Sequence, residues 1–102
     1  MTPEYTFSAP LWEYGGEASW VFLTLPREES DEIADRVPWR PGFGSVRVAV
    51  ALGDTEWSTS LFPSKELSAY VLPVKRAVRE SEGVDIGDTV TVSLRLAEQP
   101  SS

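Results

Sequence analysis

The chain reads as a mostly β fold of about six to seven strands and two short helices, closed into a barrel and built on an internal pseudo-two-fold repeat. Three observations predict it. A strand–Leu-Pro–helix–Gly–strand pattern occurs twice. Leu25-Pro26 leads through a polar stretch to Gly44 and an apolar strand at 45–52, and Leu72-Pro73 leads through another to Gly87 and a strand at 88–96. Those two strands alternate strictly, with Val46, Val48, Val50 and Leu52 on one face and Val90, Val92, Leu94 and Leu96 on the other copy's equivalent face. Hairpin turns dominate the connections, and closing a hairpin-built sheet removes its exposed edges. Neither half can bury its apolar strand face alone, so the two are expected to bury each other.

The elements follow in order. Tyr5, Phe7, Ala9 and Leu11 fall on one side of a first strand, with Pro10 marking an edge or a bulge. Gly15-Gly16 reads as a tight hairpin turn, since both residues tolerate positive φ. Residues 19–25 are apolar on both faces, Trp20 and Phe22 against Val21, Leu23 and Leu25, which suits a central or helix-covered strand. Pro26 stops it. Glu28 to Val37 is expected as a helix whose stripe is Ile33, Ala34 and Val37, with acids in the first turns complementing the dipole. Pro38 ends it, and Trp39-Arg40-Pro41-Gly42-Phe43-Gly44 forms a rigid loop. Gly53-Asp54 turns into a strand at 56–62, Pro63 to Ser68 is a loop, and Tyr70 to Leu72 is a short strand. Pro73 opens a second helix with Val74, Ala77 and Val78 as its apolar stripe and Gly83 as its C-terminal cap. Residues 1–97 are expected as a single domain and 98–102 as a frayed tail.

The chain has 102 residues, a net charge of −7, and neither His nor Cys. The length suits one core without staples. The missing Cys excludes disulfides and fits a reducing cytoplasm, and no signal peptide or membrane-length apolar stretch is seen. With no His, Ser-His-Asp triads, Cys-His pairs and His-based metal sites fall away, and the acids at 28–35 lack calcium-loop spacing. Gly42-Phe43-Gly44 lacks the flanking strand and helix of a phosphate loop. No metal or cofactor is expected. The acidic balance opposes general nucleic-acid binding, yet charge is uneven. Residues 1–37 carry eight acids and two bases, whereas residues 38–81 carry four acids and six bases.

That basic middle holds the candidate sites. Arg47, Trp57, Ser60, Tyr70, Lys75 and Arg79 combine aromatic surface, hydroxyls and a basic pair one helical turn apart, which suits an anionic small ligand. The bland alternative buries Trp57, bonds Ser60 to backbone and pairs the bases with Glu56, Glu80 or Glu82. Trp39, Arg40 and Phe43 are candidates for anchoring a partner protein, or else cap an open barrel end.

The run Leu72-Pro73-Val74-Lys75-Arg76-Ala77-Val78-Arg79-Glu80, followed by Gly83-Val84-Asp85-Ile86-Gly87-Asp88-Thr89-Val90, resembles the half-barrel of AbrB/MazE-like transcription factors. A wider pattern is more specific. Phe7-x-Ala9-x-Leu11, Trp20, Leu25-Pro26, Gly44-x-Val46-x-Val48, Trp57-x-Thr59-Ser60-Leu61, Pro63, Tyr70-x-Leu72-Pro73-Val74-Lys75, Val78-Arg79 and Gly87-Asp88-x-Val90 together resemble the bacterial domain of unknown function 1905 family. The resemblance implies a double-split β-barrel capped by helices, with both halves in one chain where AbrB-like proteins use two. The family usually has a Gly shortly before Tyr-x-Leu-Pro; here Ser68 and Ala69 stand there. It implies no assigned activity, and its members are sometimes joined to, or resemble partners of, a bacteriocin-protection domain.

The expected role is a monomeric, non-catalytic binding module for an anionic small ligand or a partner protein. DNA binding by analogy with AbrB is the alternative, and an enzyme using Lys75 and Tyr70 comes after it.

Overall fold

The computed structural model describes residues 4–14, 20–36 and 44–97. Among the described residues, seven antiparallel strands and two helices follow one another as β1 (Glu4–Pro10), β2 (Trp12–Tyr14), β3 (Trp20–Thr24), α1 (Arg27–Arg36), β4 (Val46–Leu52), β5 (Thr55–Ser64), β6 (Ala69–Pro73), α2 (Arg76–Glu82) and β7 (Thr89–Leu96). The expected turn at Gly15-Gly16, the end of the first helix at Val37-Pro38, the loop carrying Trp39, Arg40 and Phe43, and the tail at 98–102 lie outside the described residues.

Alternation builds the concave face. Tyr5, Phe7 and Ala9 in β1, Val46, Val48, Val50 and Leu52 in β4, and Val90, Val92 and Leu94 in β7 are all buried. They share one apolar cluster with Leu23, Leu61 and Leu72. Each fully buried aliphatic side chain contributes roughly 1.5–3 kcal/mol by leaving water. Ile33 of α1 and Val78 of α2 close the cluster from the helices.

The strand order is β1-β7-β4-β5-β6-β3-β2, and the sheet curls into a half-barrel rather than the closed barrel expected from sequence. The reason is covalent. The two edge strands, β1 and β2, are successive pieces of one chain run separated by Leu11, so they cannot pair with each other. The run does serve both ends of the sheet: β1 pairs with β7, β2 with β3, and Leu11 bonds Asp88 and Gly87 through its backbone.

Pro63, expected to begin a loop, and Pro73, expected to open a helix, both sit inside strands. Pro63 lies opposite Tyr70, beyond the last β4 pair at Leu61, where β5 keeps a ladder on one side only. Such an edge-like position tolerates the missing N–H. Pro73 pairs with Phe22 and closes β6 instead of opening a helix. The Val74 N–H extends this contact to the Val21 carbonyl at 2.9 Å, so the chain stays extended through Lys75, and α2 starts at Arg76. Ala77 is consequently exposed, and the apolar stripe is Val74 and Val78. Gly83 does cap α2, in left-handed conformation. In α1, Ile33 is buried but Ala34 is exposed, and Ser30 takes the inner place. Its Oγ accepts a hydrogen bond from the Tyr70 N–H at 3.1 Å, tying α1 to β6.

Candidate functional site

β5 changes partners in mid-strand. Its pairs with β4 end at Leu61, and its pairs with β6 begin at Phe62. The two parts of the sheet diverge there and leave a groove of about 560 Å³. The middle of β5, the first residues of β3 and the β6–α2 junction form its walls. Trp20, Trp57, Phe62, Lys75, Arg76 and Arg79 line it, and Thr59 adds a hydroxyl.

Three of the sequence-predicted residues meet in this groove: Trp57, Lys75 and Arg79. Trp57 shares a face of β5 with Thr59, opposite Val50 and Val48, and packs half-buried against the core. Arg79 is half-buried, and its Nε donates to the Val74 carbonyl at 3.2 Å. That bond fixes the guanidinium plane and leaves the terminal NH₂ groups without a protein partner among the described residues. Lys75 is exposed. Neither Lys75 nor Arg79 has a carboxylate within 4 Å among the described residues, where the ion pairs are Arg36 with Glu32 and Arg76 with Glu80. Two of the three acids expected to neutralise the pair are engaged elsewhere, and the third, Glu56, lies against the outer face of β4 and β7. Glu80 accepts from Arg76 Nε at 3.0 Å, and Glu82 accepts from the Thr55 hydroxyl at 2.6 Å.

The other predicted residues stand apart. Arg47 and Ser60 face each other across the β4–β5 register, on the opposite face of the sheet from Trp57. Tyr70 is opposite Pro63, half-buried on the α1 side, with its carbonyl accepting from the Leu25 N–H. It does not line the groove with Lys75. The trio Trp39, Arg40 and Phe43 is outside the described residues.

Sequence reasoning missed Trp20, Phe62 and Arg76. The signal was present in β3: with Val21 and Leu23 claiming the core, strict alternation turns Trp20 and Phe22 outward. They join Trp12 and Tyr14 in an aromatic row on the convex side, with Trp12 and Phe22 ring centroids 5.3 Å apart. The Trp12 indole N–H donates to the Thr24 hydroxyl at 2.9 Å. A smaller depression of about 360 Å³ lies on the outer face of β4, β5 and β7, floored by Ala49, Ala51, Ser58 and Ser93. Its charges are of mixed sign, Glu4 and Glu56 with Arg95, so it lacks the groove's excess of cations.

No group of His, Cys, Asp or Glu among the described residues is arranged to hold a metal ion. No helix among them is long and apolar enough to cross a membrane. Away from the groove, the Tyr5 hydroxyl is buried without a hydrogen-bond partner among the described residues. Burial pushes its pKa up, the Glu32 carboxylate adds to the rise, and Arg36 opposes it from outside hydrogen-bond geometry.

Fold and groove together define a small β-rich half-barrel carrying an aromatic, cationic cleft beside α2. The family described as a domain of unknown function, DUF1905, matches residues 7–94. The chain belongs to this family. No curated protein matches it.

Proposed function

We propose that the chain is a non-catalytic binding module that takes a small anionic ligand in the groove between β5 and α2. One observation carries this reading: Lys75 and Arg79 stand over the groove with no acidic partner among the described residues, in a chain of net charge −7. Unpaired cations beside an apolar wall are a ready counter-charge for an anion. The Arg79 guanidinium is also held by its Nε, so less side-chain freedom is lost on binding.

We further read the two halves as related by an approximate dyad, under which the half carrying Trp57 holds a groove of about 560 Å³ and the other a depression of about 230 Å³ at Arg27 and Leu67. Leu61 faces Val46 in β4 as Ala9 faces Val90 in β7, which sets Trp57 in the place of Tyr5. Thr24 with Val71 and Val50 with Leu94 are the pairs that would straddle the axis. Tyr5 is buried in the first half, whereas Trp57 stays half-open in the second.

Isothermal titration of the full chain with inorganic phosphate, sulfate, pyrophosphate and citrate tests the reading. Saturable binding of at least one anion is expected, weakened about tenfold by Arg79→Ala and less by Lys75→Ala, with Arg47→Ala unchanged. Circular dichroism confirms that each variant is folded. If no anion saturates, or if Arg47→Ala weakens binding as much as Arg79→Ala, the reading fails.

A further inference from the structure

We infer that the preferred ligand is a planar aromatic ring system bearing a single carboxylate or phosphate, its ring laid on Trp20 and its anion held by Arg79 and Lys75. The inference rests on the anion-binding reading and adds the ring. Trp20 is 57% exposed and Phe62 is 43% exposed, and both line the groove with the cations. An indole left this open beside unpaired cations leaves apolar surface in water that a ligand ring would cover.

The indole is also held in place before any ligand arrives. It lies parallel to Phe22, with planes 10° apart and centroids 6.3 Å apart. Phe22 is itself packed against Trp12 and Tyr14. The row therefore supports one side of Trp20, and the indole remains 57% exposed at the rim of the groove. Preorganised aromatic surface binds at small entropic cost. Thr59, on the same face of β5 as Trp57, adds a hydroxyl to this wall of the groove. Charge complementarity selects an anion, and the aromatic wall selects a ring; a bare inorganic anion satisfies only the first.

Two sources share this chemistry, nucleoside monophosphates and aryl carboxylates. Calorimetric titration of the full chain separates them, with AMP and UMP in one arm and 2-naphthoate and indole-3-carboxylate in the other. Inorganic phosphate and acetate serve as the ringless references. The expected result is that at least one ring-bearing anion binds about tenfold tighter than the ringless anion carrying the same group, the factor one ring contact supplies. That advantage should disappear in Trp20→Ala and persist in Trp20→Phe. Trp20 is exposed, so both variants are expected to fold. Equal affinity for ringed and ringless anions, each sensitive to Arg79→Ala, overturns the inference and leaves the anion site standing. A ring advantage that survives Trp20→Ala overturns it too. If no anion binds in either arm, the anion site itself has failed.

Discussion

Replacing Ser68 with glycine is expected to stabilise the protein. Ser68 closes the turn between β5 and β6 with φ at 51°, in the left-handed region, and no other non-glycine residue among those described has positive φ. The turn needs that conformation: the Ser68 N–H bonds the Lys65 carbonyl at 3.4 Å, and the Leu67 N–H bonds Ser64 Oγ at 3.3 Å. A Cβ in this region costs about 1–2 kcal/mol. Glycine removes that cost but gives up roughly 0.5–1 kcal/mol through the freer unfolded chain. The net gain is then about 0.5–1 kcal/mol, a rise in Tm of roughly 2–6 °C for a domain near this size. Ser68→Ala is the control, because it deletes the hydroxyl and keeps the Cβ. Urea and thermal denaturation of the three proteins, followed by circular dichroism, read the effect as a shift in midpoint at constant slope. A loss of stability in Ser68→Gly, or an equal gain in Ser68→Ala, would refute the strain reasoning.

Two further variants probe the frame around the groove. Gly53→Ala places a Cβ into the Glu82 carboxylate at a backbone φ of 60°, displacing Glu82 from Thr55. A loss of roughly 2–3 kcal/mol is expected in urea denaturation; the loss should shrink in a Glu82→Ala background, and an undiminished loss there contradicts the contact. Tyr5→Phe removes a buried hydroxyl that has no hydrogen-bond partner among the described residues, so stability at neutral pH should hold or rise by up to about 1 kcal/mol. The folded phenol titrates above its ordinary value of 10.0, so the unfolded chain ionises first. Stability is therefore complete below pH 10 and falls as pH rises toward the folded pKa. Tyr5→Phe should show a shallower alkaline decline, and an unchanged decline sinks the assignment.

Much of the sheet was legible because it depends on local alternation. Tyr5, Phe7 and Ala9 in β1 and the valines of β4 and β7 went inward as period two demands. What escaped was non-local. Pro63 and Pro73 look like breaks in any short window, yet ladder contacts from Tyr70 and Phe22 hold both in strands. The open edge depends on β1 and β2 sharing one run of chain, which no periodicity reports. At the site, Lys75, Arg79 and Trp57 were legible as a basic and aromatic group, although Lys75 stands on extended chain ahead of α2 and not on the helix the spacing assumed. Tyr70 lies away from the groove because its backbone is tied to Ser30, forty positions away in the chain. Trp20 was missed because its exposure depends on which face of β3 the core claims. Ser68, one of the two residues standing where the resemblance expects a glycine, adopts a left-handed backbone at φ 51°.

Backbone amide chemical shifts of the full chain during a phosphate titration test the anion groove most directly. Saturable shifts concentrated at residues 57–62 and 74–79, with Arg47 and its neighbours silent, are the predicted result. Shifts that grow linearly without saturating, or that centre on Arg47 and Arg95, would contradict it.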